Sequence, residues 1–103
     1  MVSYIFSVIT KKLYWDKVYG FLSENNNDFE ILFVIRKSNS ELDDLLKIEK
    51  EKSNVSVFVF EDDISENNMI NQAIKKIRGN KLILCRDYFD FAPVMATTFK
   101  IRG

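Results

Sequence analysis

Phe29-Glu30-Ile31-Leu32-Phe33-Val34-Ile35 is the stretch whose reading decides the fold of this chain. β-Branched and aromatic residues dominate it, and its apolar character runs on without regular alternation. That is the composition of a strand covered on both faces, as strands of a parallel sheet are. Working outward, similar runs fall at residues 3–10, 55–60 and 81–85. Between them the apolar spacing turns helical. Leu13, Val18, Phe21 and Leu22 share a stripe over 13–24, which the polar run Asn25-Asn26-Asn27-Asp28 ends as a turn. Leu42, Leu45, Leu46 and Ile48 mark a helix over 41–52, with acidic residues early and lysines late, as the helix dipole favours. Its expected capping oxygen belongs to Ser38 or Ser40. A further helix starts at Ser65 and carries Met69, Ile70, Ala73, Ile74 and Ile77, with Gly79 placed as a C-terminal cap.

The pattern β-α-β-α-β-α-β predicts a three-layer α/β/α domain over residues 1–103 with a Rossmann-like, mostly parallel sheet of about four strands. Order 3-2-1-4 is the simplest doubly wound solution, and periodicity leaves a flavodoxin-like order open. Residues 96–101 form either an extra edge strand near the C-terminus or a tail. In such sheets ligands bind at the carboxyl ends of the strands. Those ends read Thr10-Lys11-Lys12, Arg36-Lys37-Ser38, Glu61-Asp62-Asp63 and Arg86-Asp87-Tyr88.

Composition excludes several functions. Fifteen basic and fifteen acidic residues cancel, so no field of one sign is present to gather nucleic acid. Histidine is absent, which removes histidine-activated serine or cysteine nucleophiles and histidine-ligated zinc. The single Cys85 forms no internal disulfide and fits a reducing, cytoplasmic setting. It lies inside an apolar strand, so a buried structural thiol is expected there. No apolar run approaches the roughly 20 residues that span a bilayer. The N-terminus reads as a strand and not as a secretory leader.

Phe29–Val34 with the Ser38–Ser40 turn, Leu42–Lys52, Val55–Phe60 and Asn67–Asn80 together resemble segments of family-2 glycosyltransferases. Phe29-Glu30-Ile31-Leu32-Phe33-Val34 with the Ser38-Asn39-Ser40 turn resembles their second strand, which ends in two aspartates, a glycine and a serine. Residues 42–52 match the following helix, and Val55–Phe60 looks like the third strand. Residues 67–80, with Asn71-Gln72-Ala73-Ile74-Lys75-Lys76-Ile77-Arg78-Gly79-Asn80, resemble the family's N-x-A-I-x-x-A-x-G-D helix and the entry to strand four. The similarity covers roughly residues 3–90. It implies the nucleotide-diphospho-sugar transferase fold and a nucleotide sugar as ligand.

The departures bear on mechanism. The strand-two aspartates, which in the family hold uracil and ribose, are replaced by Ile35 and Arg36. The Asp-x-Asp after strand four, which holds a divalent metal and the diphosphate, falls at Arg86-Asp87-Tyr88. The resemblance therefore implies nucleotide binding through Arg36, Ser38, Arg86 and Asp87. Asp87 and Asp90 are the expected metal pair, taking Mg²⁺ or Mn²⁺ only with a nucleotide sugar. No other cofactor is implied, and no catalytic residue is assigned. The family's acceptor-binding half, with its general base, has no counterpart in these 103 residues. The expected function is thus a truncated, glycosyltransferase-like protein with weak or no activity. The alternative is a non-enzymatic interaction or dimerisation domain on the same scaffold.

Three further features have two readings each. Glu61-Asp62-Asp63 reads as a solvated loop complementing the next helix dipole, or as a metal or basic-partner site. Tyr14, Trp15 and Tyr19 read as half-buried core or as a contact surface. Tyr88, Phe89 and Phe91 fold back over the sheet edge or cover a partner, such as a second copy in a homodimer. A response-regulator-like switch is disfavoured, because Lys11-Lys12 stand where that fold needs an acidic pair.

Overall fold

The fold is taken from a computed structural model that describes residues 1–8, 19–20, 22–24, 28–86 and 97–100, with backbone alone for Arg86 and 97–100. Its strands are β1 (Val2–Val8), β2 (Phe29–Arg36), β3 (Val55–Phe60), β4 (Lys81–Arg86) and β5 (Thr97–Lys100). Helix α1 spans Leu42–Glu51 and α2 spans Glu66–Ile74, and residues 19–20 and 22–24 are also helical. The sheet order is β3-β2-β1-β4-β5. The first four strands are parallel, and β5 adds antiparallel to β4. The parallel core thus has the 3-2-1-4 order, and the extra C-terminal strand lies at the edge beyond β4.

Alternation along the strands divides the core into two layers. Tyr4, Phe6, Val8, Ile31, Phe33, Ile35 and Cys85 face Leu22 and the α1 residues Leu42, Leu45 and Ile48. Ile5, Leu32, Val34 and Leu82 face Met69, Ile70 and Ala73 of α2. The α2 stripe is the one that periodicity picks out, α1 packs through Leu42, Leu45 and Ile48 without Leu46, and Leu13, Val18 and Phe21 of the first expected stripe lie outside the described residues. β2 and β1, with neighbours on both sides and helices on both faces, bury almost every residue. This is why Phe29–Ile35 reads as an unbroken apolar run.

The helix termini depart from expectation in two places. Neither Ser38 nor Ser40 caps α1. Asn39 holds that corner, its Oδ1 accepting the Glu41 N–H at 2.9 Å while its Nδ2 donates to the Val8 carbonyl at 3.3 Å. The Asn39 amide supplies both the acceptor and the donor that tie the helix start to β1. Gly79 is not a left-handed cap, since no described glycine has positive φ. A Cβ there would lie 2.5 Å from the Met1 carbonyl oxygen and 2.6 Å from Ser3 Oγ. The glycine is required by close approach, not by backbone conformation. Ser65 does cap α2, accepting the Asn68 N–H at 3.2 Å.

Candidate functional site

Helix α2 runs back against the strands, and a polar lock sits at each of its ends. At the carboxyl ends of β1 and β2, Ser7 donates a short hydrogen bond to Glu66 in the first turn of α2. Beside it the Arg36 guanidinium donates twice to the Ile64 carbonyl, from Nε at 3.0 Å and Nη2 at 2.7 Å. The Ser38 N–H donates to Asp62 Oδ1 at 3.2 Å, and Lys37 Nζ lies 2.7 Å from Glu61. The Glu61 carboxylate raises the Lys37 pKa, though both groups are exposed and screened by solvent.

These contacts close the ends of β2 and β3 on each other. Ile35 is fully buried in the first core layer. Arg36 turns to the other face and is held by the loop before α2. The two positions that the resemblance equates with nucleotide-binding aspartates therefore hold one core side chain and one internal strap. Two members of the acidic run, Glu61 and Asp62, meet the β2 end directly. Among the described residues no three acidic or thiol side chains come together to hold a metal ion.

Asp87, Asp90, Tyr88, Phe89 and Phe91 lie outside the described residues, as do Thr10, Lys11, Lys12, Tyr14 and Trp15. The Arg86 side chain lies outside them too. Its backbone pairs with Ser7 in the β1–β4 register. That places Arg86 across from the Ser7–Glu66 pair in sequence register, at the β1–β4 boundary where the sheet order reverses.

The second lock, at the amino ends of the strands, has no counterpart in the motif reading. Glu30 is only 4 % exposed inside β2. Its Oε2 accepts the Ser3 hydroxyl at 2.6 Å and the Arg78 N–H at 2.6 Å, and its Oε1 accepts Arg78 Nε at 3.2 Å. Ser3 Oγ in turn accepts the Gly79 N–H at 2.9 Å. Burial raises the Glu30 pKa, but the Ser3 and Arg78 hydrogen bonds outweigh it and hold the carboxyl below its ordinary value. The signal for this cluster was present in sequence: Ser3, Ser7 and Glu30 interrupt the apolar runs of β1 and of β2 before its terminal Arg36. A polar group in a strand covered on both faces needs a partner.

Cys85 is buried, and burial pushes its thiol up to about 12. The expected structural thiol is what the fold contains, since the nucleophilic thiolate is absent near neutral pH. No membrane-length apolar helix occurs among the described residues. Compared with known proteins, the chain matches no family model and no curated protein at a significant level.

Proposed function

We propose that this chain is a glycosyltransferase-like domain with weak or no sugar-transfer activity, whose β2 end no longer holds a nucleotide. The observation that carries the reading is the Arg36 strap. Where the resemblance expects a carboxylate open to ribose, a guanidinium is hydrogen-bonded to the Ile64 carbonyl. The parallel 3-2-1-4 order supports the scaffold half of the reading. Residual affinity for a nucleotide sugar would rest on Arg86 and Asp87, with Mg²⁺ or Mn²⁺ on Asp87 and Asp90. The described residues contribute no ligand set of their own to such a metal.

Calorimetric titration with UDP and a UDP-sugar, with and without Mn²⁺, tests this. The expected result is no binding tighter than a Kd of about 1 mM, or about −4 kcal/mol. Micromolar, Mn²⁺-dependent binding that Arg36→Ala abolishes would overturn the reading. The alternative, an interaction domain on the same scaffold, predicts no nucleotide heat at all and a mass that rises with concentration in light scattering.

A further inference from the structure

Among the described residues β3 is an edge of the sheet, paired on one side only, by β2. Its six residues, Val55-Ser56-Val57-Phe58-Val59-Phe60, carry no charge, proline or glycine and consist almost wholly of strand-forming types. Such a segment on an edge is a template for another strand, and identical copies pair readily. The phase of the ladder fixes which groups face outward. The Ile31 N–H donates to the Asn54 carbonyl at 2.8 Å, and the Lys37 N–H donates to the Phe60 carbonyl at 2.9 Å. With Ile31 opposite Val55 and Arg36 opposite Phe60, the N–H groups of Ser56, Phe58 and Phe60 turn toward β2. Those of Val55, Val57 and Val59 turn away from the sheet.

Two of these outward groups are already occupied by α1 and the turn that follows it. The Val55 N–H donates to the Lys52 carbonyl at 3.3 Å. The Val57 N–H, at the middle of the edge, donates to Glu49 Oε2 at 2.7 Å. Beyond it Val59 is the exposed residue of the strand, at 45 %. A carboxylate from a helix, spent on a strand N–H that a neighbouring strand would otherwise take, also brings a negative charge to an uncharged edge.

We propose that Glu49 is the guard of the β3 edge, and that the partner it excludes is the β3 edge of a second copy of this chain. The strand is its own complement: a two-fold axis across the edge places the same uncharged valine row on both sides. Val57 is where its central hydrogen bonds would form, and the Glu49 carboxylate occupies that N–H.

The test compares wild type, Glu49→Ala, Glu49→Gln and the double variant Glu49→Ala/Val59→Lys by size-exclusion chromatography with light scattering. Glu51→Ala, an exposed carboxylate on the same helix, is the control. Circular dichroism reports the fold of each. Glu49→Ala is expected to self-associate at about a tenfold lower concentration than wild type. Glu49→Gln keeps a carbonyl acceptor for Val57 but loses the charge, and is expected to fall between wild type and Glu49→Ala. Lysine at Val59 is expected to return the Ala variant to the wild-type state, because a charge on the edge blocks pairing. A folded Glu49→Ala that associates no more than wild type overturns the proposal. So does association that Val59→Lys leaves unchanged. A second measurement needs no variant: in wild type the outward-facing Val57 amide should be protected from hydrogen exchange well beyond the Val59 amide. Equal exchange at the two would also overturn it.

Discussion

Phe33→Ala is expected to cost about 3–5 kcal/mol, the range for emptying a fully buried aromatic site. Phe33 has no exposed surface and sits near the middle of β2. Its ring lies 5.6 Å from that of Phe6 on β1, tilted by 46°. In the register it stands opposite Phe6 on one side and Val57 on the other. Helix α1 covers the same layer through Leu42, Leu45 and Ile48. The cavity would therefore open where two strand pairs and a helix meet, with sheet hydrogen bonds resisting collapse into it. Domains of this size are stable by roughly 5–15 kcal/mol, so the loss is a large share of the total. Urea denaturation should show a much lower midpoint with little change in slope. A loss below about 1 kcal/mol would mean that this layer is not packed as described.

Glu30→Leu is expected to cost about 2–4 kcal/mol, although it places an apolar side chain in a buried strand. On hydrophobicity alone the change should stabilise. The carboxylate, however, accepts from the Ser3 hydroxyl and from both the backbone and the guanidinium of Arg78. Ser3 is fully buried, and its hydroxyl would lose its acceptor. Arg78 is two-thirds exposed at its side chain, so its guanidinium recovers water and moderates the loss. The same cluster has a pH signature. The folded-state pKa of Glu30 lies below its ordinary value, so its contribution is present above the unfolded-state pKa, about 4.5, and is lost as pH falls through the lower folded value. Wild-type stability should therefore fall on the acid side, and Glu30→Leu should flatten that slope. A variant with an unchanged acid limb would place the titration elsewhere.

These two residues show what the sequence made legible. Phe33 belongs to a run whose composition declares burial, and both the strand and its two-faced covering follow from that run. Glu30 belongs to the same run, yet apolar neighbours on either side say only that it is inside. Its partner Arg78 lies 48 residues away on the far side of α2, and only the folded sheet brings the two together. Arg36 is the same case at the other end. A cation at a strand end reads as an anion site, whereas in the fold Arg36 donates to the Ile64 carbonyl, which is 28 residues distant and is a backbone atom without a sequence signature. The 3-2-1-4 order was open for a related reason. Every strand of the parallel core carries enough apolar residues for a central place, so patterning does not rank them. Gly79 could be placed in sequence as a break after α2, but its cause is the Met1 carbonyl and Ser3 hydroxyl packed against it.

We propose that the carboxyl end of β2, closed by its own residues, holds no nucleotide. Amide chemical-shift mapping of ¹⁵N-labelled protein, with a UDP-sugar and Mg²⁺ added, tests it at the residues concerned. The predicted result is that the amides of Arg36, Lys37, Ser38 and Ile64 do not move. Saturable shifts centred on Arg36–Ser38 would contradict the closed β2 end and restore it as a nucleotide site.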